Sequence, residues 1–183
     1  MNTLIFNGSP RPNGDTSALI AALTEALEGR VDIINCYRAN IRPCVDCRAC
    51  KDAFACAILD EMQAVYARIL EADAIVIASP VYFSSLTGRT LDVLSRLQPG
   101  FYARSRGEAG FSNKARRGGT LLVGGGNGSA ELAVKQSRLL LRAMNCAPIA
   151  EPVMSLNTDR LPAARDFAAL DAARRLARFL NGV

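Results

Sequence analysis

Five apolar runs of strand length alternate with amphipathic runs of helix length from one end of the chain to the other, and this alternation limits the architecture more than any other feature. Residues 2–6 and 31–36 read as strands, as do Ala74–Ala78, Thr120–Val123 and a less regular stretch over 147–154. The first helix is expected over 16–28, with Ala18, Leu19, Ala22, Leu23, Ala26 and Leu27 on one face. The second spans 59–71 with Met62, Val65, Ile69 and Leu70 inward; others follow near 88–97 and over Glu131–Met144. Pro162 opens a last helix to about Leu180, with Phe167, Leu170, Ala173 and Leu176 inward. Apolar residues three and four apart mark a helix that buries one face. A short continuous apolar run such as Ala74–Ala78 suits a strand covered on both faces of a parallel sheet. Repeated strand–helix units of this kind predict an α/β fold: a doubly wound, five-stranded parallel sheet with right-handed crossovers and helices on both faces.

No composition shift or internal repeat divides residues 1–183, so one domain is expected. Half of the residues are apolar, enough for a core without disulfides. No apolar run approaches the roughly 18 residues of a membrane span. The first residues enter a strand pattern directly, so no signal peptide is expected and the chain is placed in the cytoplasm. The net charge of +5 comes from scattered residues without a nucleic-acid signature; a modest positive field also suits anionic small ligands. The chain has no histidine, which removes the commonest general base and metal ligand. One segment, 98–117, is long, basic, glycine-containing and unpatterned. It reads as a functional loop or an arm onto a neighbouring subunit.

Three inter-element segments carry distinctive chemistry. After the first strand comes Asn7-Gly8-Ser9-Pro10-Arg11-Pro12-Asn13-Gly14-Asp15-Thr16-Ser17, leading into the first helix. A hydroxyl- and glycine-rich turn at a helix N-terminus is an anion site, because the first amides lack intrahelical acceptors and the helix dipole adds positive charge. Ser9, Thr16 and Ser17 offer hydroxyls and Arg11 a charge-assisted bond. The bland alternative is a capped turn with Asp15 or Thr16 as N-cap. After the third strand comes Ser79-Pro80-Val81-Tyr82-Phe83-Ser84-Ser85-Leu86-Thr87-Gly88, whose aromatics suit a flat ring at the carboxyl ends of the strands. After the fourth comes Gly124-Gly125-Gly126-Asn127-Gly128, where missing side chains let backbone approach a ligand, or leave a merely flexible loop.

These runs, in this order, resemble the flavodoxin-like NAD(P)H-dependent FMN reductase family, with Asn157-Thr158-Asp159 similar to its last strand-to-helix turn. The resemblance implies FMN as cofactor and a reduced nicotinamide, NADH or NADPH, as electron donor. It implies that Ser9, Arg11, Asn13, Thr16 and Ser17 hold the FMN phosphate, with Asp15 turned away to cap the helix. It further implies that Pro80, Val81, Tyr82 and Phe83 lie along the isoalloxazine, and that Gly124, Gly125 and Gly126 offer amides to its pyrimidine edge. In the following helix Gly88 and Arg96 match the family pattern, while Leu91 and Ser95 replace its Lys and Asp. A homodimer or tetramer is implied as well, since that helix usually lies near a dimer interface.

Six cysteines are present, and four of them form C-x2-C-x2-C-x5-C at Cys44, Cys47, Cys50 and Cys56 within the loop 43–57. In a reducing compartment such clusters indicate metal or redox work rather than staples. Four thiolates within thirteen residues can converge on one centre, as in iron–sulfur proteins; zinc is the alternative. The spacing resembles the iron–sulfur flavoprotein branch of the same family, which implies a 4Fe–4S cluster beside FMN. Arg48 and Lys51 would partly offset its charge. Cys36 and Cys146 fall in strand patterns and read as core. The expected function is an FMN-dependent NAD(P)H oxidoreductase that passes electrons to a small-molecule or protein acceptor. Two rivals are an electron carrier exchanging with ferredoxin-like partners and a non-enzymatic binding module. The arginines around 104–117 are candidates for a nicotinamide 2′-phosphate.

Overall fold

The computed structural model describes residues 1–182. The elements run β1 (Asn2–Asn7), α1 (Asp15–Thr24), β2 (Arg30–Asn35), α2 (Met62–Glu71), β3 (Ala74–Tyr82), β4 (Ser85–Leu86), α3 (Gly88–Leu94), α4 (Gln98–Ser105), β5 (Arg116–Gly124), α5 (Glu131–Ala143), β6 (Cys146–Ile149), β7 (Val153–Leu156) and α6 (Phe167–Asn181). The parallel order is β2-β1-β3-β5, with β6 and β7 following one another along the outer edge of β5. This is the flavodoxin-like arrangement, its fifth strand divided. Pro148 and Pro152 lie in or beside the fifth strand, and a residue without an N–H cannot keep a ladder regular. The two-residue β4 folds back antiparallel on the end of β3.

Two cores flank the sheet. On one face Leu19 and Leu23 of α1 and Ala173, Leu176 and Leu180 of α6 pack on Ile5, Val76 and Leu121. On the other, Met62, Val65 and Ile69 of α2, Val93 of α3 and Leu141 of α5 pack on Phe6, Ile75, Ile77 and Leu122. Each such buried leucine or isoleucine contributes about 1.5–3 kcal/mol relative to exposure, so the alternation of strand and helix is held by matched apolar faces.

Several expectations need correction. Helix α2 begins at Met62 rather than 59, because Asp60 turns out of the helix: its carboxylate accepts the amides of Arg42 and Met62. Pro162 precedes a short 3-10 turn at Ala163–Arg165, and α6 starts after Asp166, whose carboxylate accepts the Ala169 amide at 3.0 Å. Phe167, expected to face inward, is exposed at that first turn. Strands β3 and β5 run further than their apolar centres, to Tyr82 and Gly124, and so carry their terminal loops out past the sheet. The segment 98–117 is not patternless. It holds α4 and a 3-10 turn at Gly110–Asn113, and it buries Phe111 against Phe54 and Tyr66. Gly100 makes this possible, since a Cβ there would lie 2.2 Å from the Phe111 ring.

Candidate functional site

The carboxyl ends of β1, β3 and β5 lie side by side, and their three loops enclose one cleft. Ser9, Arg11, Thr16, Pro80, Val81, Tyr82 and Gly125 line it. Phe83, Gly124 and Gly126 line the groove adjoining at Val81 and Gly125. Two proposed residues stand apart from this lining. The Ser17 hydroxyl donates to Pro12 O at 2.8 Å, bracing the loop from within. Asn13 is exposed at the tip of the loop.

Short local bonds and a polar layer behind shape the first loop. Asn7 Oδ1 accepts the Ser9 amide at 3.0 Å, the Gly8 amide donates to Ala78 O at 2.7 Å, and Thr87 Oγ1 donates to Gly8 O at 2.9 Å. Gly8 cannot be larger, since a Cβ would sit 1.9 Å from Thr90 Oγ1. Gly14, not Asp15 or Thr16, takes the N-cap position of α1. Asp15 stays in the lining of the cleft, and instead of capping α1 its Oδ1 accepts the Ala163 amide at 2.8 Å and fastens the α6 approach to α1. Thr16 is 1 % exposed, and its hydroxyl has no partner in the chain among the described residues. A buried hydroxyl without a bond is costly, and here it stands in the first turn of a helix beside amides that also lack intrahelical acceptors. That orphaned donor fits a phosphate.

The remaining walls fit a flat, partly polar ring. Phe83 and Ser84 both adopt positive φ, 50° and 64°, and Phe83 is fully exposed. Successive residues in this region are strained and persist where the surroundings impose them, commonly at ligand sites. The carbonyls of Gly124, Gly125 and Gly126 accept the amides of Thr158, Asp159 and Asn157 at 3.0–3.1 Å. A Cβ on Gly125 would meet the Asp159 carboxylate at 2.8 Å. Thr158 and Asp159 therefore form a wall of the cleft; their likeness to a family turn was legible in the sequence, but their contact with the glycine loop was not.

The loop 43–57 gathers its cysteines elsewhere. Cys44, Cys47, Cys50 and Cys56 line a single small cleft with Arg96 and Tyr102. Flanking helices hold the loop by its backbone. Ser95 Oγ accepts the Cys44 amide at 3.0 Å, Arg106 Nη1 donates to Cys50 O at 3.1 Å, and Gln63 Nε2 donates to Cys56 O at 3.2 Å. On either side of Cys47, Asp46 and Arg48 adopt positive φ, 50° and 63°. Burial pushes the Cys50 thiol up, with the neighbouring cysteines adding to the effect. No group of three or more His, Cys, Asp or Glu among the described residues is placed to hold one metal ion. Four thiols lining one cleft are the donor set of an iron–sulfur cluster, and equally of zinc. Arg96 contributes a second sign of fit, because its buried Nε–H is unpartnered.

The arginines proposed for a nicotinamide phosphate are mostly engaged or misplaced. Arg106 is paired with Glu108 and the cysteine loop, and Arg116 is buried among carbonyls. Arg116 and Arg117 begin β5, eight and seven residues from its cleft end, or about 23–26 Å at roughly 3.3 Å per residue. Cys36 and Cys146 are buried in the core, and desolvation pushes each thiol up to about 12.

An iron–sulfur flavoprotein of Methanocaldococcus jannaschii is 30% identical over 140 residues, covering 74% of this chain and 69% of that protein. An iron–sulfur flavoprotein of Archaeoglobus fulgidus is 26% identical over 145 residues, covering 78% of this chain and 63% of its own length. Among solved structures, an azoreductase from Bacillus anthracis superposes over 100% of both chains with a TM-score of 0.68 at 19% identity, a likeness of fold. No helix among the described residues is long and apolar enough to cross a membrane. The family model described as NADPH-dependent FMN reductase matches residues 1–160, and the chain belongs to that family of FMN-dependent oxidoreductases.

Proposed function

We propose that this protein binds FMN in the cleft above β1, β3 and β5 and catalyses electron transfer from NADH or NADPH to a small-molecule or protein acceptor. The unpartnered Thr16 hydroxyl at the N-terminus of α1 carries the reading. Ser9, Arg11 and Thr16 serve the phosphate, Ser17 braces the loop, and Asn13 stands at its exposed tip. Pro80, Val81, Tyr82 and Phe83 flank the ring, and Gly124, Gly125 and Gly126 approach its edge. Bound FMN supplies the redox chemistry, accepting hydride from the nicotinamide and releasing electrons to the acceptor. The residues orient the cofactor, which carries the chemistry, so no protein acid or base is required.

The test is FMN binding against riboflavin, followed by anaerobic bleaching of bound FMN with NADPH or NADH. Arg11→Ala should weaken FMN by about 1.5–3 kcal/mol, the scale of a hydrogen bond to a charged group, and leave riboflavin unchanged. Equal affinity for the two flavins would overturn the phosphate assignment. Binding without bleaching, together with rapid exchange with ferredoxin, would favour the electron carrier instead.

Cys44, Cys47, Cys50 and Cys56 are assigned to a 4Fe–4S cluster as a relay to the acceptor. The shared cleft and the strained backbone around Cys47 support this. Anaerobic protein reconstituted with iron and sulfide should contain about four of each per chain. Any one of the four cysteines changed to Ala should remove the cluster and leave FMN bound. Absence of broad visible absorption beyond the flavin would refute the assignment. A homodimer or tetramer is proposed as the working form, with the exposed Phe83 at the cleft rim covered by a second copy; light scattering at micromolar concentration tests it.

A further inference from the structure

Among the described residues, three buried side-chain atoms lack a hydrogen-bond partner: Thr3 Oγ1, Thr16 Oγ1 and Arg96 Nε. Thr3 lies within β1 and lines no cleft described above. Thr16 lies in the flavin cleft. Arg96 lines the cleft of the four cysteines, although it lies 40 residues beyond the last of them in the sequence.

The guanidinium of Arg96 is 1 % exposed and oriented by other groups. Nη1 donates to Asp60 Oδ2 at 2.7 Å and Arg42 O at 2.8 Å. Nη2 donates to Asp60 Oδ1 at 3.2 Å and Ile58 O at 3.1 Å. Asp60 is fixed in turn by the Arg42 and Met62 amides, and the Tyr66 hydroxyl donates to Arg96 O at 2.7 Å. Arg96 therefore fastens both ends of the cysteine loop with its terminal nitrogens and keeps one donor unspent. Arg116, the other fully buried arginine, differs: Nε, Nη1 and Nη2 all reach acceptors. A guanidinium locked by a carboxylate fork cannot turn to satisfy Nε elsewhere, and a buried N–H without an acceptor indicates a partner still to come. The cleft that Arg96 lines also holds the four cysteine sulfurs, which as thiolates can accept it, and Tyr66 and then Cys56 act on the guanidinium charge.

We propose that Arg96 donates its Nε–H to a cysteine sulfur of the Cys44, Cys47, Cys50 and Cys56 cleft and thereby raises the reduction potential of the iron–sulfur cluster held there. The inference rests on the cluster assignment above. A one-electron reduction adds negative charge to cluster and thiolates, so a hydrogen bond to sulfur and a fixed positive charge favour the reduced form. Arg96 is a positioning residue of the relay and touches neither flavin nor nicotinamide.

The test uses FMN-loaded protein reconstituted anaerobically with iron and sulfide, as wild type and Arg96→Lys. Lysine keeps the charge but cannot both fork to Asp60 and present a side N–H. Its cluster should reduce at least tenfold less favourably, a fall of 59 mV for one electron, with FMN affinity unchanged. Arg48→Lys protein labelled with 15N at arginine Nε should show a 15N hyperfine coupling to the reduced cluster. That labelled sample also decides the contact if Arg96→Lys fails to fold. A missing coupling, or an Arg96→Lys reduction equilibrium within twofold of wild type, overturns the inference while the cluster assignment stands. Wild type that takes up no iron and sulfide overturns both.

Discussion

Thr16→Val separates the cost of the flavin site from its benefit. Valine has nearly the shape of threonine and a similar helix propensity, so the substitution removes one hydroxyl and little else. In the ligand-free chain that hydroxyl is buried and unpartnered, a condition costing about 1–3 kcal/mol. Without it the ligand-free protein should become more stable by that amount. At about 2–4 °C per kcal/mol for a chain of this size, its melting temperature should rise by roughly 2–12 °C. FMN should bind more weakly by about 1.5–3 kcal/mol, because a hydrogen bond to a charged phosphate is lost. At 1.36 kcal/mol per factor of ten, that is roughly a 10- to 150-fold rise in Kd. Riboflavin affinity should not move. Thr3→Val is the control: Thr3 has the same orphaned hydroxyl within β1, so it should gain stability with no change in FMN binding. Flavin fluorescence titration and calorimetry read both quantities. If Thr16→Val destabilises the ligand-free protein, or weakens FMN and riboflavin equally, the hydroxyl is not poised for phosphate and the reasoning is wrong.

Gly100→Ala should cost about 1–3 kcal/mol by overpacking, because the added Cβ would lie 2.2 Å from the Phe111 ring; denaturant midpoints measure it. Burial pushes the Asp60 carboxyl up, but the Arg96 fork and the Arg42 and Met62 amides outweigh it and hold the group below its usual range. A depressed carboxylate contributes stability that is complete above its unfolded value of about 3.9 and is lost as pH falls through the folded value. The wild type should therefore lose stability below about pH 4 by a component that Asp60→Asn lacks, read from melting curves at stepped pH. In ligand-free protein at pH 8, iodoacetamide should modify exposed Cys47 first and reach Cys36 and Cys146 only after unfolding. Buried thiols raised to about 12 carry almost no thiolate there, and early modification of either by mass spectrometry would contradict their place in the core.

The segment 98–117 shows how this fold accommodates its cysteine-rich loop. Its α4 end supplies Arg106 to the Cys50 carbonyl, and the turn before α4 supplies Ser95 to the Cys44 amide. Ser95 is the position where the sequence departs from the family's aspartate, and the departure has a local use in this contact. Tyr102 adds a ring under Lys51 at 5.8 Å. The long connection is therefore the scaffold of the cysteine loop within its own chain.

The alternation of strands and helices, the parallel sheet and the three loops at its carboxyl edge were legible in the residues alone. Each depends on neighbours in sequence: apolar spacing marks which face is buried, and glycine, proline and hydroxyl residues mark where the chain turns. The inward faces of α1 and α2 and the core places of Cys36 and Cys146 follow the same rule. What the tertiary structure decided rests on partners far apart in the chain. Asp15 meets Ala163 across 148 residues, and Arg96 meets Asp60 across 36. Thr16 is orphaned because no distant group arrives to satisfy it, while Phe167 is exposed because Asp166 starts α6 with that position turned outward. Periodicity reports the side of its own element on which a residue lies; which remote atom waits there is set when the elements pack, and the spare donors at Thr16 and Arg96 exist only in that packed form.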